Sequence, residues 1–274
     1  MSSKHVDVII IGAGLSGIGA ACHLTKHTPA KSFAVLESRA AMGGTWDLFR
    51  YPGIRSDSDM HTLGYSFKPW KHEKAIADGP AILDYIHETA REYGVEQHIH
   101  YNHRVEHLSW DSMSATWSIV LKVNGQDNVS MTCNFVYSCT GYYRYDQGYM
   151  PEFPGAGAFK GEIIHPQKWP ENLDYSDKKV VVIGSGATAI TLVPSMATSA
   201  AHVTMLQRSP TYVISRSEKD STAKTLERYL PDQVAYWATR WKNVLSQMIL
   251  YRMSKRRPDY IRRKLIEWTQ IWLG

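Results

Sequence analysis

The sequence predicts an α/β protein made of two successive strand–glycine turn–helix–strand units. Three observations predict it. An apolar run, Val6-Asp-Val-Ile-Ile-Ile11, enters Gly12-Ala-Gly14-Leu-Ser-Gly17; the plan recurs at Val180–Ile183 and Gly184-Ser-Gly186-Ala-Thr-Ala189; and a Pro- and Gly-rich stretch, Pro151 to Gly161, separates them. Short, nearly continuous apolar runs fit parallel strands covered on both faces. Strand, glycine turn, helix and strand within about 30 residues make one βαβ unit, so two Rossmann-like domains are expected.

In order along the chain, Leu15 to His27 reads as a helix and Ser32 to Leu36 as the second strand of the first unit. Asp78 to Tyr93 reads as a helix because Pro80 sits near its start, Ile82, Leu83 and Ile86 share helical spacing, and Gly94 stops it. Trp117–Val123 and Val129–Cys133 alternate around Asn124-Gly125, a hairpin signal. Phe135–Cys139 reads as a further buried strand. After the linker, a helix is expected from Ala187 and a strand over Val203–Leu206. From Asp220 the sequence is helical and amphipathic. The expected division is 1–150, a linker 151–178, a second Rossmann unit 179–219, and its helical part 220–274.

Composition excludes several classes. With 43% apolar and 21% charged residues in 274, global disorder is disfavoured. Cys22, Cys133 and Cys139 give neither an even disulfide framework nor a CxxC metal or redox pair, and they read as reduced thiols of a cytoplasmic protein. The run Val8–Ile11 is too brief for a signal-peptide core, and no stretch approaches the roughly 20 apolar residues of a membrane span. The net charge of +5 is concentrated from Asp220 to the end, where eleven Lys or Arg face five Asp or Glu. A solvated helical face is the favoured reading of that surplus, with weak attachment to a membrane surface left open; no nucleic-acid motif accompanies it.

The glycine loops carry the chemistry. Gly12 permits the tight turn, Gly14 lets the backbone approach a pyrophosphate, and Gly17 lets helix and strand pack. The helix N-terminus then faces the phosphates. Glu37, twenty residues after Gly17, would accept hydrogen bonds from a ribose hydroxyl pair and would repel a 2′-phosphate. The second loop has Ala189 at its third position, a permitted variant, and Arg208 stands where the first unit has Glu37, with Ser209 beside it. A cation there pairs with a 2′-phosphate. The first site therefore suits FAD and the second NADPH.

Gly43-Gly44-Thr45-Trp46, Tyr51-Pro-Gly-Ile-Arg55-Ser-Asp57 and the pattern Phe159-x-Gly161-x3-His165-x3-Trp169-Pro170 resemble segments of class B flavoprotein monooxygenases of the Baeyer–Villiger type. The resemblance covers the whole chain. It implies FAD contacts at Gly12, Gly14, Leu15, Ser16, Gly17, Glu37, Gly44, Thr45, Trp46, Asp47, Leu48, Asp57 and Val105. It implies NADPH contacts at Arg55, Ser56, Asp57, Gly184, Ser185, Gly186, Ala187, Thr188, Ala189, Ile190, Arg208 and Ser209. Asp57 would orient a catalytic arginine, and His165 would have a conformational role in a fingerprint coupling the two domains.

The implied activity is NADPH- and O2-dependent oxygenation of a small ketone, sulfide or thioamide through a flavin C4a-peroxide. Because family members run to about twice this length, both domains and the catalytic arginine are expected to be incomplete here. That leaves an alternative, a non-catalytic remnant that at most binds FAD or NADPH. A flavin disulfide reductase would need a redox CxxC, and the sequence has none.

Overall fold

The computed structural model describes residues 4–209, 212–215 and 217–273. They form two compact units: Met1–Tyr51 with Gly79–Leu173, and Pro52–Asp78 with Asp174–Gly274.

In the first unit β1 (Lys4–Ile11) leads into α1 (Leu15–His27) and β2 (Phe33–Leu36), and a single turn α2 (Thr45–Leu48) follows. In the second unit a single turn α3 (Met60–Leu63) lies within the stretch 52–78. The first unit resumes with α4 (Gly79–Glu92), β3 (Ile99–His100), β4 (His103–Asp111), β5 (Thr116–Val123) and β6 (Gln126–Ser138). The sheet order is β3-β2-β1-β6-β5-β4. β1 pairs in parallel with β2 and β6, β2 with β3, and β4, β5 and β6 form an antiparallel meander.

Apolar periodicity explains this assembly. Ile9, Ile10, Val35 and Leu36 are buried by the parallel strands, while Ile82 and Ile86 bury one face of α4. Each such side chain contributes about 1.5–3 kcal/mol relative to exposure. Ile9, Leu36, Ile119, Leu121 and Cys133 belong to one cluster, so meander and parallel strands share a core.

The expected elements agree to within a residue or two, and the short α2, α3 and β3 are additional; the main differences lie in the meander. Val129–Cys133 and Phe135–Cys139 are one continuous strand, β6, because Asn134 stays in the pleat. The later half of β6 is not a buried strand: Phe135 and Tyr137 are 56% and 49% exposed. β4 was not anticipated, since His103-Arg-Val-Glu-His-Leu-Ser-Trp-Asp111 buries none of its residues fully.

The second unit continues with β7 (Lys179–Ile183), α5 (Ala187–Met196) and β8 (His202–Leu206), and β7 and β8 form a parallel two-stranded sheet. Helices α6 (Ser221–Tyr229), α7 (Asp232–Arg256) and α8 (Pro258–Leu273) follow. The sequence suggests strands covered on both faces, but Val181, Ile183 and Leu206 are more than half exposed on one face of this sheet.

The stretch 52–78, which the sequence reading keeps in the first 150 residues, packs in the second unit because its bonds run there. The amides of Ala75 and Ile76 donate to the carbonyl of Glu218 at 2.7 and 3.1 Å. The contacts of 151–173, conversely, lie in the first unit.

Candidate nucleotide-binding sites

Gly12 closes β1 with φ +102°, and its amide donates to the Leu36 carbonyl at 2.8 Å. This bond carries the chain across the ends of β1 and β2, where Ile11 pairs with Leu36, and so brings the loop beside Glu37. α1 opens on Gly14 in extended conformation with no side-chain cap, so the partial positive end of its dipole is left for an anion. A Cβ on Gly17 would overlap the Gly12 carbonyl, and one on Gly44 would stand 2.9 Å from the Gly14 Cα. The two glycine segments therefore meet backbone to backbone, a contact only glycine permits.

Glu37 is 6% exposed, and its Oε2 accepts from the Ala13 amide at 2.8 Å while Oε1 accepts from the Arg39 amide at 2.9 Å. The acid is thus fixed by backbone donors at the mouth of the loop and keeps lone pairs for further donors. Leu15 and Trp46 are half-buried, Ser16 is exposed, and Thr45 and Leu48 lie on α2.

Asp47 is more constrained than the sequence suggests: its buried carboxylate is held by the guanidinium groups of both Arg39 and Arg50. Arg39 also lies over the Tyr145 ring, 5.8 Å from its centroid. Burial, reinforced by the Glu37 charge, pushes the Tyr145 phenol above its usual range despite a hydrogen bond to Thr45. Arg39 and Tyr145 were missed from the sequence; the only signal was the place of Arg39, two residues after Glu37. Val105 packs its side chain on the sheet core beside a bulge, which leaves its main chain as the part able to meet a ligand.

The fingerprint residues belong to the first unit. Phe159 curls its ring over Gly161, where a Cβ would collide with it, and the His165 ring covers Gly148 in the same way. His165 Nδ1 accepts from the Gln167 amide at 3.2 Å, capping a short 3-10 turn, and Gln167 donates to the Arg144 carbonyl at 2.6 Å. His165 thus shapes backbone. Phe159 and Pro170 are exposed and Trp169 is half-buried.

In the second unit Gly184 has φ +131°, and its amide donates to the Leu206 carbonyl at 2.8 Å, repeating the Gly12 bond. α5 opens on Gly186, again with no side-chain cap; Ala189 is buried, while Ser185, Thr188 and Ile190 are half-buried and Ala187 is exposed. Ile183 pairs with Leu206, so the residue matching Glu37 by register is Gln207. Arg208 therefore stands one residue beyond the place that Glu37 has in the first unit, and both it and Ser209 are exposed.

Within the same unit, Arg55 and Asp57 are exposed on either side of the buried Ser56, whose amide donates to the Ala77 carbonyl at 2.9 Å. Arg55 also forms an isolated antiparallel bridge with Asp78.

The two units thus share a strand, glycine loop and helix plan, with an acid at the end of the second strand in one and a guanidinium one residue past it in the other. Residues 4–269 match the model of the flavin-binding monooxygenase-like family, and the chain belongs to that family. It is 52% identical over 269 residues to the FAD-containing monooxygenase EthA of Mycobacterium tuberculosis, covering 98% of this chain and 55% of that protein. The putative FAD-containing monooxygenase MymA of the same species is 53% identical over 278 residues, 99% of this chain and 56% of that one. The chain thus spans about half the length of the curated relatives it matches. Among solved structures, steroid monooxygenase bound to NADP superposes with a TM-score of 0.72 at 26% identity, covering 86% of this chain and 43% of that one. OTEMO in complex with FAD and NADP gives 0.66 at 29% identity, covering 78% and 41%.

Proposed function

We propose that this chain is the cofactor-binding part of an NADPH- and O2-dependent flavin monooxygenase that oxygenates a small ketone, sulfide or thioamide. The observation that carries the reading is the pairing of two βαβ glycine loops with opposite charges after their second strands, Glu37 and Arg208. Membership of the flavin-binding monooxygenase-like family supports it.

The residues present fit both groups. The uncapped start of α1, the bare Gly14–Gly44 contact and the fixed Glu37 carboxylate suit the pyrophosphate and ribose of FAD. Gly184, Gly186 and the start of α5 would receive the second pyrophosphate, and Arg208 with Ser209 the 2′-phosphate of NADPH. Bound flavin and nicotinamide would supply the redox and oxygen chemistry. Asp57 would orient a catalytic arginine by charge, and His165, engaged with the Gln167 amide, would act through backbone conformation rather than by proton transfer.

Among the described residues no helix is long and apolar enough to cross a membrane. The basic surplus of the helices from Asp220 on is read as a solvated face, with weak contact with an anionic membrane surface as the second reading; co-sedimentation with anionic but not neutral vesicles tests it.

The function is tested by measuring FAD retention and NADPH consumption with and without a ketone or thioamide. Oxygenated product formed at the expense of NADPH and O2 is expected of the whole monooxygenase that contains this part, and little of it from these 274 residues by themselves. Retention of both nucleotides without any product would instead establish the non-catalytic alternative.

A further inference from the structure

The segment 52–64 has a single helical turn of its own, yet it carries Arg55, Ser56 and Asp57. We infer that α7 is the positioning element for this segment and that Asn243 and Arg240 are its positioning residues, an assignment that rests on the nucleotide reading above.

Asn243 is 2% exposed, and its Nδ2 donates to Asp59 Oδ1 at 2.9 Å and to Asp220 Oδ2 at 3.4 Å. Gln247, one turn on, donates to Asp59 Oδ2 at 3.3 Å. Asp59, itself 2% exposed, also accepts from the Thr62 amide at 3.0 Å and so caps α3. Arg240 donates to the carbonyls of His61 and Gly64 at 2.8 and 3.3 Å and is steadied by the Tyr236 hydroxyl at 3.0 Å. Lys242 engages both oxygens of Asp220 at 2.8 and 2.7 Å. Burial pushes the Asp220 carboxyl up, but Lys242, the Ala223 amide and Asn243 outweigh it and hold it below its usual range.

One helix thus directs Arg240, Asn243 and Gln247 at Asp59–Gly64. A buried polar network of this kind adds little net stability over apolar packing, but it admits few alternative geometries. What it fixes lies immediately upstream. At the other end Gly53, with φ +79°, lies so close to α5 that a Cβ would stand 2.7 Å from the Thr191 carbonyl. The segment bearing Arg55 and Asp57 is therefore clamped between the helix of the second glycine loop and α7. The stretch that carries its exposed side chains is anchored at Asp59 and His61 by residues more than 170 positions away in sequence.

The test compares Asn243→Leu, Arg240→Leu and Arg240→Lys in the FAD-loaded protein, reading amide hydrogen exchange over 56–64 and NADP+ affinity by fluorescence titration. Leu fills the space of Asn; Ala would enlarge the adjoining cavity of about 170 Å3. Asn243→Leu and Arg240→Leu should speed exchange in 56–64 and weaken NADP+ about tenfold, the equivalent of about 1.4 kcal/mol. Arg240→Lys should restore most of both, and flavin content should stay unchanged.

Unchanged exchange, or faster exchange with NADP+ affinity intact while Arg208→Ala still weakens it, overturns the positioning role. If Arg208→Ala also leaves NADP+ binding untouched, the nucleotide reading itself fails. Should Asn243→Leu not fold, Gln247→Leu removes one bond to Asp59 and must shift both readouts the same way by less; no shift there overturns the assignment.

Discussion

The two glycine loops follow one backbone plan but are crowded very differently. Gly12 and Gly184 make the same bond to the end of the next strand and both have positive φ. In the first loop, however, a Cβ on Gly12 or Gly17 would strike a main-chain carbonyl, whereas one on Gly184 or Gly186 would meet nothing within 4 Å. The first set of glycines is required by the protein's own packing. The second set is open on the protein side; Gly184 is required by its φ of +131°, whereas at Gly186, with φ −77°, the lack of a side chain serves whatever approaches from outside.

Substitutions separate these roles. The largest effect is expected from Gly17→Ala, which drives a methyl into the Gly12 carbonyl and should destabilise the first unit by about 3 kcal/mol or more in chemical denaturation. A loss under about 0.5 kcal/mol, the range of ordinary surface changes, would remove the packing half of the comparison. Gly186→Ala should do the reverse: at φ −77° with open space around it, stability should change by no more than about 1 kcal/mol, while NADP+ affinity drops at least about tenfold. Intact NADP+ binding in that variant would show that nothing approaches the second loop closely.

The smallest effect concerns pH. Hydrogen bonds from Lys219 and Lys224 lower the Glu73 carboxyl from 4.5 to about 2. A depressed carboxyl contributes stability that is complete above its unfolded value and is lost as pH falls through its folded one. Protection factors over 70–78, taken relative to the intrinsic exchange rate at each pH, should therefore fall between about pH 4.5 and 2 in the wild type, and Glu73→Gln should flatten that profile.

Much of this contrast was legible in the sequence, because both loops sit where apolar runs end and their glycines fall at fixed spacing. Leu15–His27 was read to the residue, since strand and loop fix its start and Thr28 ends its periodicity. The meander was read only in part. Asn124-Gly125 announced the turn, with φ +49° and +81°, but β4 is too polar to show a buried face. The attachment of 52–78 to the second unit could not be read at all. It depends on Asp59 meeting Asn243 and on Ala75 meeting Glu218, pairings that no local pattern encodes. Arg208 shows the limit of counting: it stands nineteen residues after Ala189 where Glu37 stands twenty after Gly17, whereas strand register gives the place of Glu37 to Gln207 and sets Arg208 one residue further.

The central claim is that the second loop selects a 2′-phosphorylated dinucleotide and the first does not. It is tested most directly by titrating wild-type and Arg208→Ala protein, both FAD-loaded, with NADPH and with NADH. The account predicts that the variant loses about 10- to 100-fold in NADPH affinity, as expected for one charge-assisted contact of roughly 1.5–3 kcal/mol, with NADH binding and flavin content nearly unchanged. Equal losses for both nucleotides would contradict it.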